Sequence, residues 1–279
     1  MANAWTWDET LYAGSAEHYV RGRMPYPCDL GAQIVKAAQL GGATRALDVG
    51  CGPGSLTLLL AACVQEVIGI DADAGMLQQA ARAAARAGAG NVSWRRMRAE
   101  ELPGDQDSVD LVTFAQSFHW MERETVAAAV RGMLRPGGAC VHVHATTHRG
   151  DDSFDPLPRP RPPYEQIRAL VVSYLGPGRR AGRSSLPEVI LGGDEPAVYR
   201  RAGFRGPLHV EVRRGEVVER SVEDILAATF SLSSSTPHLF GGDRGRFESE
   251  LRALLQAASD GGLFCERLRD VAFDVWRLQ

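Results

Sequence analysis

Arg45-Ala-Leu-Asp-Val-Gly-Cys-Gly-Pro-Gly54 is the stretch on which the reading of this chain turns. Small and apolar residues run into Asp48, and glycines then fall at 50, 52 and 54. A buried strand that ends in a glycine turn and opens a helix is how a doubly wound sheet exposes its backbone to a nucleotide-like ligand. Further along, Val67-Ile-Gly-Ile-Asp71 is a second short apolar run, closed by an acid. Asp71 stands about 20 residues beyond the glycines, the spacing of a carboxylate that holds ribose hydroxyls. The alternative role for Asp71 is to cap the helix that follows, where Asp73 competes with it.

The glycine spacing bears on which nucleotide is bound. A dinucleotide site uses G-x-G-x-x-G, so that a pyrophosphate sits on the helix N-terminus. Here the third glycine comes one residue early and Ser55 takes the next place, as a plausible N-cap. Asp48, just before the turn, opposes a phosphate but suits an amino group. The ligand therefore loses the pyrophosphate and gains an amino-acid end, which describes S-adenosylmethionine. The run Leu47-Asp48-Val49-Gly50-Cys51-Gly52-Pro53-Gly54 resembles the first motif of class I S-adenosylmethionine-dependent methyltransferases, in their small-molecule branch with a methyltransferase type 11 domain.

The resemblance implies a set of cofactor residues. It assigns Gly50, Cys51 and Gly52 to the turn, and Asp71 with Ala72 to the ribose end. Met76 is similar to the Met of a Met-Leu pair, touching the adenine or packing in the core. Arg98-Ala99-Glu100-Glu101-Leu102-Pro103 is similar to an Asp-Ala-Glu-x-Leu-Pro segment that lies along the adenine; here Arg98 stands where the acid is usual, and Ala99 and Glu100 are the matching residues. Gln116, at the end of a strand, falls beside the methionine part, and His119 and Trp120 fall near the transferred methyl group. His119 is either a general base, by its near-neutral pKa, or a lining residue; Trp120 walls the acceptor side. The stretch 16–27 resembles a family segment that folds over the cofactor. It offers Tyr19 and Arg23 to close the site, the arginine as a fork for a carboxylate, and Tyr12 as a substrate contact.

Composition narrows the class. The chain has 279 residues, 44% hydrophobic and 23% charged, and a formal net charge of -3. No basic field favours nucleic acid, no apolar run of membrane-spanning length occurs, and Met1–Trp5 lacks the marks of a signal peptide. Five dispersed cysteines without C-x-x-C spacing read as reduced thiols in a cytoplasmic protein. No metal is expected. His142 and His144 share one strand face, but as two facing ligands without a third; His148, His209 and His238 add no pattern. The arginines at 179–183 either bind an acidic group or are solvated.

Apolar runs at 44–49, 64–70, 91–96, 109–115 and 139–146 alternate with helical stretches at 55–62, 74–87 and 123–134, which predicts a parallel sheet with helices on both faces. Helical character is also read at 8–22, 29–40, 164–175, 221–232 and 243–258, with strands at about 208–214 and 266–277. Leu134-Arg-Pro-Gly-Gly138 is read as a tight turn. The expectation is an α/β, Rossmann-like, doubly wound, seven-stranded, mostly parallel sheet with helical cap insertions, its last strand inserted antiparallel as the resemblance implies. It is read as one methyltransferase domain over 1–279: an N-terminal helical lid at 1–43, a cofactor core at 44–147, an inserted cap at 148–206 and closing elements at 207–279.

The reaction so implied moves a methyl group from S-adenosylmethionine to O, N or C of a small molecule such as a secondary metabolite, leaving S-adenosylhomocysteine. Its rivals are the same chemistry on tRNA or protein, a non-methylating reaction such as cyclisation on the same fold, and a binding module without chemistry.

Overall fold

The computed structural model describes residues 8–41, 44–104, 107–178, 180–181, 184–185 and 194–278. The strands are β1 (Arg45–Val49), β2 (Glu66–Asp71), β3 (Val92–Arg96), β4 (Val109–Ala115), β5 (Leu134–His144), β6 (Arg180–Ala181), β7 (Ser184–Ser185), β8 (Phe204–Val212), β9 (Val217–Ser221), β10 (Leu263–Arg267) and β11 (Val271–Leu278). The α-helices are α1 (Ala16–Gly22), α2 (Leu30–Ala37), α3 (Ser55–Ala61), α4 (Ala74–Ala87), α5 (Arg123–Met133), α6 (Tyr164–Leu175), α7 (Glu195–Arg201), α8 (Val222–Phe230) and α9 (Arg244–Ala258). Among the described residues no helix is long and apolar enough to cross a membrane.

The chain divides into two compact units. The first takes Pro25–Ala145, the residues leading to Arg213, and those from Asp270 on. It holds a seven-stranded sheet in the order β3-β2-β1-β4-β5-β11-β8. β1 to β5 run parallel, as in Leu47↔Ile68 and Leu47↔Val112, while β11 is antiparallel to both β5 and β8. The strands are apolar on both faces because helices cover both. Leu47, Ile68, Phe114, Cys140 and Trp276 fill one side, and Ala46, Val67, Leu111, Val141 and Phe273 the other. Chain order reverses between β1 and β4, so the carboxyl ends of these two strands form the crevice where doubly wound sheets bind ligands.

The second unit gathers the residues up to Met24, those from Thr146, and Arg214–Arg269. Its apolar core is built from Ile225, Phe230, Phe240, Phe247, Leu251 and Phe264. β9 and β10 form an antiparallel pair. α1 crosses α8 so closely that a Cβ on Gly22 would stand 2.2 Å from the Ala228 nitrogen. A buried ion pair ties the pieces together. Arg220 Nη1 donates to Glu266 Oε2 at 2.9 Å and Nη2 donates to the Gly22 and Asp224 carbonyls; Glu266 Oε1 accepts from Gly150 N–H and the Tyr164 hydroxyl.

Several boundaries differ from expectation. Residues 8–22 are not one helix: the Asp8 carboxylate accepts from Thr10 N–H, Gly14 adopts φ +77°, and the helix begins only at Ala16. Ser55 is the first residue of α3 rather than its cap, because Gly54 occupies the cap position at φ +81°. The run 266–277 is not one strand. β10 ends at Arg267, the Leu268 N–H donates to Glu216 O, and β11 starts at Val271 in the other sheet. Residues 135–138 lie inside β5, where the pairing with β4 shifts register between Val109 and Leu111 and Gly137 takes φ +84°.

Candidate active site

The glycine turn joins β1 to α3. Gly50, Gly52 and Gly54 all have positive φ, of 67°, 54° and 81°, a region closed to most side chains. Each glycine answers a different demand. A Cβ on Gly50 would meet the Ser117 Cβ at 2.5 Å, and one on Gly54 would meet the Trp94 ring at 2.7 Å. A Cβ on Gly52 would meet nothing within 4 Å, so the turn has room at its centre for a ligand to approach the backbone. Cys51 is buried, and desolvation pushes its thiol well above the ordinary range.

Asp71 closes β2 beside this turn. Its Oδ2 accepts from Gly52 N–H at 2.8 Å and its Oδ1 from Asp73 N–H at 2.8 Å. Burial pushes its carboxyl up to about 6, against the pull of these two N–H donors. Part of its surface stays open, and each oxygen retains a lone pair for a further donor. The capping role falls to Asp73, whose Oδ1 accepts from Met76 N–H at 2.9 Å. Met76 is buried, and Ala72 follows Asp71 on the open side of the strand end.

Asp48 behaves differently from its sequence assignment. It has no exposed surface, its Oδ2 accepts from the Thr57 hydroxyl at 2.6 Å and its Oδ1 from the Thr113 hydroxyl at 2.7 Å. As it stands it offers no oxygen to a ligand's amino group. The acid instead ties β1, α3 and β4 together beneath the turn, with its carboxyl pushed up by burial.

The ends of β3 and β4 complete the crevice. Ala99–Glu101 form a short 3-10 turn, with Ala99 buried. Glu100 accepts from Glu122 N–H at 2.9 Å and from Arg98 Nε at 3.3 Å, so the substituted Arg98 leans on its neighbour's carboxylate. Gln116 is a non-glycine residue at φ +59°, a strain that concentrates at functional sites. Its Nε2 donates to Val143 O at 3.0 Å, which anchors it to β5. Ser117 Oγ donates to Val49 O at 2.6 Å and locks this segment against β1. His119 and Trp120 then sit together on a 3-10 turn with ring centroids 4.8 Å apart; His119 is partly exposed and Trp120 is buried.

The residues expected from the N-terminal segment belong to the second unit. Tyr12 and Tyr19 pack edge to face at 6.3 Å, and the Arg23 guanidinium lies 4.5 Å from the Tyr19 ring. Arg23 donates from Nε to Ser231 Oγ and from Nη2 to Ser231 O, both at 2.8 Å, and from Nη1 to Thr147 Oγ1 at 3.4 Å. Its fork is therefore engaged within its own unit. The same unit has a cavity of about 530 Å³ with His148, Arg149, Tyr164, Arg168, Val171 and Thr229 among its lining. The arginine cluster at 179–183 lies outside the residues whose side chains are described.

Two features of the first unit were not legible beforehand. Trp94 covers Gly54 and Gly69 from β3: a Cβ on Gly69 would stand 2.5 Å from its ring. And the strand pair His142 and His144 acquires a neighbour in Glu195, from α7. His142 is buried, and desolvation followed by His144 and His119 holds its imidazole down at about 3.

Residues 46–138, which span the turn, Asp71 and the 3-10 segment at 118–120, match the family model described as a methyltransferase domain. An uncharacterised methyltransferase of Mycobacterium tuberculosis is 37% identical over 132 residues, covering 47% of this chain and 51% of the relative. The uncharacterised methyltransferase YcgJ of Bacillus subtilis is 37% identical over 129 residues, 46% of this chain and 50% of the relative. The chain thus spans about half the length of the curated relatives it matches. In the fold, a protein of Anaeromyxobacter dehalogenans assigned to the type II methyltransferases superposes with a TM-score of 0.52 at 24% identity, over 91% of this chain and 95% of the other. The [4+2]-cyclase SpnF superposes with a TM-score of 0.51 at 17% identity, over 97% and 93%. Over residues 46–138, this chain is thus similar to a methyltransferase domain, the family these matches share.

Proposed function

We propose that the protein transfers a methyl group from S-adenosylmethionine to an oxygen, nitrogen or carbon of a small molecule, a secondary metabolite in our reading. The observation that carries the proposal is the pairing of an open glycine turn with a partly exposed acid: Gly52 has free space at its α-carbon, and its N–H is held by Asp71. That pairing fits a nucleoside with a ribose diol, and the missing pyrophosphate position fits an amino-acid end.

When bound, S-adenosylmethionine supplies an activated methyl on a sulfonium. The chain's residues bind and orient. Asp71 accepts the ribose hydroxyls, the Gly50–Gly52 backbone lies along the cofactor, and Ala99, Glu100 and Met76 border the adenine. Gln116 is aimed by its bond to Val143, and His119 and Trp120 face the acceptor. Alignment in a dry slot is worth up to about 7–11 kcal/mol of barrier, so His119 acts as a base only where the acceptor carries a proton to lose.

The net charge of -3 disfavours an RNA acceptor. The five free cysteines support a reducing, cytoplasmic setting.

The test is incubation with methyl-labelled S-adenosylmethionine and a panel of phenol, amine and carboxylic acid acceptors. Label in product supports methyl transfer. Turnover without label points to a cyclase-like reaction, and cofactor binding without turnover of any acceptor points to a binding module.

A further inference from the structure

We infer that His142, His144 and Glu195 form a binding site for a divalent first-row transition ion of the zinc class. The inference does not depend on methyl transfer.

The two histidines come from alternate positions of β5, so both rings project from the same face of the sheet. Their centroids lie 4.4 Å apart. Glu195 enters from the first residue of α7, about 50 residues later in the chain. One ring nitrogen of each histidine and one carboxylate oxygen all lie within 4.8 Å of one another. Ion bonds of about 2.0–2.2 Å place tetrahedral neighbours roughly 3.3–3.6 Å apart. The cluster is therefore slightly open, and it can tighten, because His144 is partly exposed and Glu195 hangs on the end of a helix.

The contacts within the cluster do not explain it as a hydrogen-bonded pair. His142 Nδ1 and Glu195 Oε2 are 3.8 Å apart, too far for a hydrogen bond but close to the spacing of two ligands on one ion. A second carboxylate flanks the group. Asp274, paired with His142 across β5 and β11, has Oδ2 3.1 Å from His144 Nε2 and Oδ1 2.7 Å from His209 Nδ1. A carboxylate in that position fixes the ring orientation of a ligand histidine.

Donor chemistry selects the ion. Two imidazoles and a carboxylate suit zinc and its first-row neighbours, not calcium or magnesium, which take oxygen ligands. Three protein ligands leave a fourth position for water or for an oxygen of a bound molecule. An ion there clips the start of α7 to β5. It also lies next to the turn that carries His119, since the Phe118 ring meets His142 at 5.8 Å and stacks on Tyr199 of α7 at 5.0 Å.

The test uses the whole chain, freed of any histidine tag and dialysed against chelator, then titrated with zinc alone by calorimetry and with cobalt alone by visible absorption. The expected result is one saturable equivalent and a rise in melting temperature. Affinity should fall in Glu195→Gln and His144→Ala by no less than the about 10–100-fold that loss of an outer partner costs. Asp274→Asn should fall within that outer-partner range. Both ligand variants alter partly exposed groups, and circular dichroism checks that they fold. The inference is overturned if no saturable equivalent binds, if folded Glu195→Gln and His144→Ala bind as tightly as the parent, or if the cobalt spectrum shows thiolate charge transfer, which would place the ion on cysteine.

Discussion

Asp71 accepts the Gly52 N–H at 2.8 Å, so the acid at the end of β2 holds the centre of the turn at the end of β1. One carboxylate thereby shapes the backbone and remains available on its open side. Replacing Asp71 by Ala should weaken S-adenosylhomocysteine binding about 10–100-fold, the loss of hydrogen bonds to a charged acceptor worth about 1.5–3 kcal/mol. Calorimetry checks this; unchanged affinity removes Asp71 from the cofactor site.

The same residue sets a pH dependence. Its folded pKa of about 6 is above the ordinary 3.8, so the folded state holds this proton more tightly than the unfolded state. Protonation therefore stabilises the fold. The stability of the parent relative to Asp71→Asn should fall as pH rises from about 4 to about 6 and stay flat above. Cofactor affinity should move the opposite way, strengthening as pH rises through about 6, because the ribose contact proposed for Asp71 needs the ionised acceptor. Urea titrations and calorimetry at pH 4.5, 6 and 7.5 on both proteins test the two slopes.

Gly54 and Trp94 should be energetically coupled. Gly54→Ala adds a side chain at φ +81° and a contact of 2.7 Å with a rigid ring, and should cost about 1–3 kcal/mol for the backbone alone. In a Trp94→Ala background the clash with the ring vanishes, and the backbone part remains with a 3.3 Å approach to the Ala80 Cβ. A double-mutant cycle by urea unfolding reads the difference; equal costs in both backgrounds would refute the packing role given to Trp94.

In the second unit, Glu266→Ala leaves Arg220 buried and unpaired and also strands the Gly150 N–H and the Tyr164 hydroxyl. A loss of about 3–5 kcal/mol is expected. Glu266→Gln keeps an acceptor and should cost less. Denaturant midpoints of the two variants decide.

His119→Ala should slow turnover of an acceptor that loses a proton while leaving S-adenosylhomocysteine affinity within about twofold, if the imidazole acts at the acceptor end as proposed. An acceptor already deprotonated at the assay pH should be insensitive. Equal slowing of both would assign His119 to lining rather than to proton transfer.

Signals carried by neighbouring residues were readable in the sequence. The turn at 50–54, the cap Asp73 and its stop at Gly88, and the first four strands follow from spacing and local chemistry. What escaped depends on residues far apart in the chain. Nothing near Gly54 announces that an indole 40 residues later covers it. Asp48 reads as a ligand group in the sequence because its complete burial against Thr57 and Thr113 arises only when α3 and β4 pack on β1. His142 and His144 looked like a pair because Glu195 lies beyond an irregular segment. The split of 266–277 was hidden because both halves have strand character and differ only in which sheet receives them.

The placement of β11 has a consequence for biosynthesis. It is the last of the seven strands to leave the ribosome, yet it occupies the sixth place in space, between β5 and β8. Until residue 278 is made, β8 has no partner in the sheet and β5 presents a bare edge lined by Val141 and Val143. Such an edge invites pairing with another nascent chain. The protein therefore needs shielding longest at the moment when most of its sheet is already assembled.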